Sequence, residues 1–306
     1  MRRFIGPVEA LFLVVVLVGF IVSPNFLTVF NIDSVLHQAA ILGILAIGQF
    51  FVIVSGGFDL SVGALVALTT MVTASSLAQW GSGGVLIAIV VGLAMGALSG
   101  VAVTWARIPP FVATLGVMGV ARGLAFTISN EGILIDDPTL LWLDNAGVGP
   151  VPLVAVLWLV LALLAWILMS KTRPGTYLYA VGGNEDTARL AGIPIGRIRM
   201  AAYVLSGGLA GIAGVLFAAR SHSGSPGIAS GWELDSIAAI VIGGVGLFGG
   251  SGHVLRAMLG VLVYLMLTNV MNLAGVDTYL QTVLKGLLIL AAVSIPALVN
   301  ARRRSA

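Results

Sequence analysis

Residues 34–54, SVLHQAAILGILAIGQFFVIV, carry only Ser34, His37, Gln38 and Gln49 within an otherwise apolar run. At 1.5 Å rise per residue, about 20 such residues make a helix long enough to cross the ~30 Å hydrocarbon layer of a bilayer. Outward from this run, polar and proline-rich punctuation cuts the chain into ten spans: Val8 to Val22, Ser34 to Val54, Leu60 to Ala78, Val85 to Trp105, Phe111 to Ser129, Val151 to Ser170, Met200 to Ala219, Ile237 to Phe248, Val254 to Ala274 and Leu280 to Val299. The expected fold is an all-α polytopic membrane protein, one transmembrane domain over residues 1–306.

Composition points the same way. The chain is 59% hydrophobic and 9% charged, where soluble domains carry roughly 25% charged residues, which excludes a soluble globular domain. Its 40 glycines are spread through apolar runs, as close helix approach in a membrane requires. The absence of cysteine excludes disulfides, thiolate metal sites and a cysteine nucleophile. A net charge of +3 on this background gives no reason to expect a nucleic-acid partner.

Charge placement sets the expected orientation. With both termini cytoplasmic, Arg2, Arg3, Arg107, Lys171, Arg173, Arg189, Arg197, Arg199, Arg256, Arg302, Arg303 and Arg304 fall inside, 12 of the 15 cations. Asp33, Glu131, Asp136, Asp137, Asp144, Glu233, Asp235 and Asp277 then face outward, where they are expected to shape a docking surface. The run after Met1-Arg2-Arg3 also admits a reading as an export signal. No A-x-A cleavage site follows it, and Ser23-Pro24-Asn25 reads as a loop, so it is kept as the first helix.

The eighth run is too short to span and ends in Gly243-Gly244-Val245-Gly246-Leu247-Phe248-Gly249-Gly250, the pattern of a half-helix or re-entrant segment. Gly56-Gly57-Phe58-Asp59-Leu60-Ser61-Val62-Gly63 echoes it in the first half. Such interruptions at corresponding places in two halves point to a transport path, against the alternative that glycine-rich apolar segments match by chance.

The one sizeable inner loop, residues 171–199, has helix grammar. Asn184 is a good N-cap, Glu185 and Asp186 suit the first turn, and Gly192 with Pro194 stops the helix, predicting a short helix over about Glu185 to Ala191. No G-x-x-x-x-G-K-[ST] motif occurs, so the chain is not itself a P-loop ATPase.

Glu9, His37, Gln49, Asp59, Arg122, Asn269, Asn272 and Lys285 lie in or at the ends of spans, where polar groups need a partner, an interface or an aqueous cavity. Gln49, Asp59, Ser61, Thr114, Asn269 and Asn272 are the candidates for a translocation path or gate. Asp59 has a competing reading as a helix cap, and Arg122 suits a structural contact to carbonyls or an acid. His37, His222 and His253 are dispersed without ligand spacing, and no nucleophile or paired-carboxylate motif marks a catalytic centre. No enzymatic activity, metal or cofactor is expected in this chain.

Three motifs in order, Val54-Ser55-Gly56-Gly57-Phe58-Asp59-Leu60-Ser61-Val62-Gly63, Pro110-Phe111-Val112-Ala113-Thr114-Leu115-Gly116 and Tyr179-Ala180-Val181-Gly182-Gly183-Asn184, resemble the ribose-type ABC importer permeases of the branched-chain amino acid and ribose permease superfamily. The resemblance continues through Leu190-Ala191-Gly192-Ile193, Ile242-Gly243-Gly244 and Lys285-Gly286-Leu287. Phe58, where the family commonly has isoleucine, and the missing serine before Gly192 are conservative departures.

The resemblance implies a permease subunit in a bacterial inner membrane, paired with a second copy or paralogue. It also implies a cytoplasmic ABC ATPase carrying ATP and Mg, and a periplasmic solute-binding protein. The residues Gly183, Asn184, Glu185, Asp186, Thr187, Ala188, Arg189, Leu190 and Gly192 would then form the coupling helix. The implied cargo is a monosaccharide or related polyol, with a nucleoside as the alternative within the superfamily. Alternating access follows if nucleotide binding favours one of two states. An ion-coupled secondary transporter, with Asp59 as its chief carboxylate, and a non-transporting scaffold are the rival classes.

Overall fold

The computed structural model describes residues 6–288 and 290. Its helices are α1 (Pro7–Val22), α2 (Val29–Val54), α3 (Val62–Trp80), α4 (Gly83–Thr104), α5 (Pro110–Ile128), α6 (Pro138–Asn145), α7 (Leu153–Lys171), α8 (Arg173–Gly183), α9 (Glu185–Leu190), α10 (Ile195–Ser221), α11 (Trp232–Ile242) and α12 (Val254–Leu273). Six of these, α2, α4, α5, α7, α10 and α12, are long and apolar enough to cross a membrane, and α1 and α3 are shorter apolar helices. The chain is an all-α polytopic membrane protein. Residues 278–288 are helical, but half of the expected tenth span, and the arginines at both termini, lie outside the described residues.

The core is built around α2, which is apolar on all sides and 94% buried along its hydrophobic window. By contrast α4, α5 and α7 bury only 33%, 28% and 33% of theirs, leaving apolar flanks suited to lipid. The α2 helix starts before the expected Ser34, at Val29, because the Thr28 hydroxyl caps it by accepting the Asn31 amide at 3.4 Å.

Glycines line the contact between α4 and α10. Gly92 and Gly96 on α4 face Gly207 and Gly211 on α10, backbone against backbone, and a Cβ at Gly207 would collide with the Gly92 carbonyl. This is the small-residue seam that lets membrane helices approach without a bulky interface. Two-residue ladders tidy the far end: β1 (Ile133–Leu134) pairs antiparallel with β4 (Ser223–Gly224), and β2 (Gly147–Val148) with β3 (Val151–Pro152).

Candidate functional site

The α9 helix is a single capped turn and a half. The Asn184 side chain accepts the Thr187 amide at 2.9 Å, and Gly192, at φ 75°, takes the left-handed turn that releases the chain. Ala188 is buried while Leu190 is 90% exposed, so α9 seats one face on the protein and presents an apolar tip. Glu185 is gripped from two sides, by Arg189 at 2.8 Å and by Arg199 of α10 at 2.8 Å. Partial burial pulls its carboxyl upward, but the guanidinium of Arg199, with Arg189 beside it, overcomes this and holds it below the usual carboxylate range. A cleft of about 710 Å³ runs alongside, lined by Glu185, Arg189, Arg199, Arg107 and Gly56.

The loop is also tied to both glycine-rich segments. Arg199 Nε donates to the Ser55 carbonyl at 3.3 Å, and the Tyr179 hydroxyl donates to the Gly252 carbonyl at 2.9 Å. Between these ties, Gly182 of α8 lies against Val54 and Gly250 with no room for a Cβ, and Gly250 donates its amide to the Val54 carbonyl at 2.9 Å. The two echoed segments therefore meet each other, and they meet at the base of the loop.

Of the path candidates, Gln49, Asp59 and Ser61 come together in a fully buried cluster. Gln49 Nε2 donates to the Asp59 carbonyl at 2.7 Å, and Gln49 Oε1 has no hydrogen-bond partner among the described residues. Asp59 Oδ1 accepts the Ser61 amide at 3.0 Å and the Ser61 hydroxyl, and Oδ2 accepts the Ser206 hydroxyl at 2.8 Å. The Asp59 carboxylate thus closes a turn just ahead of α3, whose N-cap position is Ser61. Thr114 is elsewhere, its hydroxyl bonded back to Pro110 at 2.9 Å. Asn269 exchanges amide hydrogen bonds with Asn31 at 3.0 and 2.7 Å, and Asn272 accepts from Gln281 at 2.8 Å, so these amides tie helices to one another.

The acids on α11, Glu233 and Asp235, are only part-exposed, packed among neighbouring helices. The segment between α10 and α11 turns back along α3, with Gly224 against Thr70 and Met71 and the Ala229 carbonyl against Gly63. The shift from residue 71 to residue 63 of α3 is a descent of about 12 Å. Arg122 of α5 secures the segment by donating to the carbonyls of Pro226 and Ile228, both at 2.8 Å. Consequently α11 begins alongside Gly63, where Glu233 packs, and Tyr264 of α12 donates to Asp235. The helix spans 11 residues, about 16 Å, and stops at Gly243. Asp144 is likewise drawn in, 8% exposed, with Arg220 at 3.4 Å and His37 at 3.6 Å.

Arg199, Ser206, Ser55 and Tyr264 were not among the expected site residues. Each acts across a long sequence separation, and only the length of α10 beyond the inner loop hints at the first two.

Taken together, the structure is a bundle of apolar membrane helices with the short helix α11 packed among them and a polar loop bound to its glycine-rich segments. The chain belongs to the family described as branched-chain amino acid transport system / permease component, whose sequence model matches residues 31–293. It is 38% identical to the ribose import permease protein RbsC of Escherichia coli (strain K12) over 294 residues, covering 92% of this chain and 90% of that one. It is 37% identical to the ribose import permease protein RbsC of Bacillus subtilis (strain 168), with 94% and 91% covered. Against the D-allose transport system permease protein AlsC of Escherichia coli (strain K12) the identity is 35%, with 96% and 92% covered. No solved structure matches the chain.

Proposed function

We propose that this permease is the membrane subunit of an ATP-binding-cassette importer carrying a monosaccharide or related polyol into the cell. The observation that carries the reading is similarity to ribose and allose permeases over nearly the full length of all three proteins. The subunit pairs with a second copy or paralogue in a bacterial inner membrane, receives solute from a periplasmic binding protein, and keeps both termini in the cytoplasm. ATP and Mg reside on a cytoplasmic ATPase, and this chain performs no chemistry of its own.

In this reading α9 is the coupling helix. Its exposed Leu190 enters a groove on the ATPase, and its caps keep it rigid. Displacement of α9 passes through Glu185 and Arg199 to Ser55, and through Gly182 to Val54 and Gly250, so both glycine-rich segments move with it. The two access states differ in how these segments sit, and nucleotide acts by binding one state better than the other. Gln49, Asp59 and Ser61 brace the start of α3 beside the path.

Proteoliposomes containing the permease, its ATPase and its binding protein test the reading. ATP-dependent, vanadate-sensitive accumulation of D-ribose or D-allose supports it. Accumulation driven by an ion gradient without ATP would replace it with secondary transport.

A further inference from the structure

The cleft beside α9 is bounded on its other side by the turn that joins α4 to α5. Its charged residues are Arg107, Arg189, Arg199 and Glu185, set among Ile108 and Ile193. Three guanidiniums therefore meet one carboxylate, and that carboxylate is already shared by Arg189 and Arg199, each at 2.8 Å. Arg107 is exposed, and its side chain makes no ion pair or hydrogen bond among the described residues. The cleft carries an excess of positive charge with one cation unengaged.

The backbone singles out the same residue. Where α4 ends at Thr104, Ile108 donates its amide to the Ala102 carbonyl at 3.1 Å, closing a tight turn in which Arg107 sits at φ 55°. Glycine enters this left-handed conformation freely, whereas a residue with a Cβ is strained in it. Arginine thus stands where glycine would serve the turn better, and no partner among the described residues offsets the strain. Cations at this end of the bundle also follow from the bias that orients membrane proteins. That bias is met anywhere along a loop, and it requires neither the one left-handed position nor a place in the cleft.

The surroundings indicate what the free guanidinium meets. Because α9 forms one wall of the cleft, a protein that receives the exposed Leu190 also covers the cleft mouth. A cationic, partly apolar recess at a protein interface is matched by a carboxylate, which guanidinium groups grip through paired hydrogen bonds.

We propose that the cleft between α9 and the α4–α5 turn receives an acidic side chain of the partner ATPase, with Arg107 as its anchor. The proposal rests on the coupling reading of α9, and it gives the ATPase a second point of attachment on different helices. Pro110 opens α5 three residues after Arg107, and α5 carries Arg122, which holds the segment ahead of α11. Attachment at α9 alone moves the glycine-rich segments, and attachment at Arg107 moves α5 with them.

The full-length permease in nanodiscs, titrated with its ATPase, tests the proposal. Arg107→Glu is expected to weaken ATPase binding by about tenfold or more and Arg107→Gly by less, whereas Arg107→Lys keeps most of the affinity. Since Arg107→Gly relieves the turn, the permease alone should melt no lower than wild type, which separates loss of docking from loss of folding. Arg173→Glu reverses an exposed cation on α8 outside the cleft and should leave binding unchanged. The chain has no native cysteine, so Arg107→Cys can carry a photoactivatable maleimide, and the expected product is a cross-link to an Asp- or Glu-bearing peptide of the ATPase. Equal weakening by Arg107→Glu and Arg173→Glu reduces the effect to overall charge and overturns the proposal, as do cross-links that run only to phospholipid. If Glu185→Lys with Asp186→Lys abolishes binding while Arg107→Glu does not weaken it, the coupling reading stands and the anchor falls. Loss with Arg107→Glu alone keeps the anchor and removes α9 from the contact, and wild-type binding in both overturns the two together.

Discussion

Arg199 Nη2 stands 2.8 Å from Glu185 Oε2, joining the first residue of α9 to the first turns of α10. The same guanidinium donates to the Ser55 carbonyl at the end of α2, so a single side chain connects the exposed loop to the most buried helix.

Charge reversal at this junction separates energy supply from transport. Glu185→Lys with Asp186→Lys is expected to lower ATP-driven uptake by about tenfold or more while the permease still accumulates in the membrane. Uptake and ATPase co-purification both equal to wild type would remove α9 from the coupling role.

The pH response of the clasp has a definite sign. The folded pKa of Glu185 lies below its ordinary value of 4.5, so the ion pairs contribute fully above that value and are lost as pH falls through the lower folded pKa. A cross-link between Glu185→Cys and Arg199→Cys cannot report this, because it removes the charges. Carboxylate NMR of the labelled side chain can, and it should titrate below 4.5 in the wild type and move upward in Arg199→Gln.

Glycines divide by what a methyl would meet. Gly207→Ala drives a Cβ into the Gly92 carbonyl and Gly96, and should destabilise the bundle by about 1–3 kcal/mol in a thermal or denaturant assay. Gly119→Ala on α5 meets nothing within 4 Å and should be neutral or slightly stabilising.

Arg122→Ala frees two carbonyls and the segment they hold. Since the chain has no native cysteine, a Ser225→Cys reporter can be labelled selectively, and thiol labelling should accelerate in the Arg122→Ala background. An unchanged labelling rate would mean that Thr70, bonded to Ser225 at 3.3 Å, suffices.

The amide pair between Asn31 and Asn269 should behave as a coupled unit. Asn269→Leu alone strands its partner and costs about 1–3 kcal/mol, whereas the double leucine variant should recover much of that loss. Simple additivity of the two single effects would show that water already satisfies both groups.

Local grammar made part of this molecule legible in advance. The apolar runs announced the polytopic bundle, and Asn184, Glu185 and Gly192 announced a helix, because caps act within a few residues of themselves. The placement of Glu233 and Asp235 was not legible. Hydropathy assigns acids to water, but here Arg122, more than a hundred residues earlier in the chain, draws the preceding backbone inward and carries both acids with it. Likewise the bond from Ser61 to Asp59 lies within its own turn, while the third donor to that carboxylate, Ser206, comes from a helix far along the chain.

The enclosure of α11 has a consequence for biogenesis. Its lead-in segment is held by Thr70 and Arg122, which emerge from the ribosome before it, and its first turn by Tyr264, which emerges after it. With only 11 residues it is too short to enter a bilayer as an independent span. It can settle only once α12 has been made, so it finds its place after a helix that is synthesised later than itself.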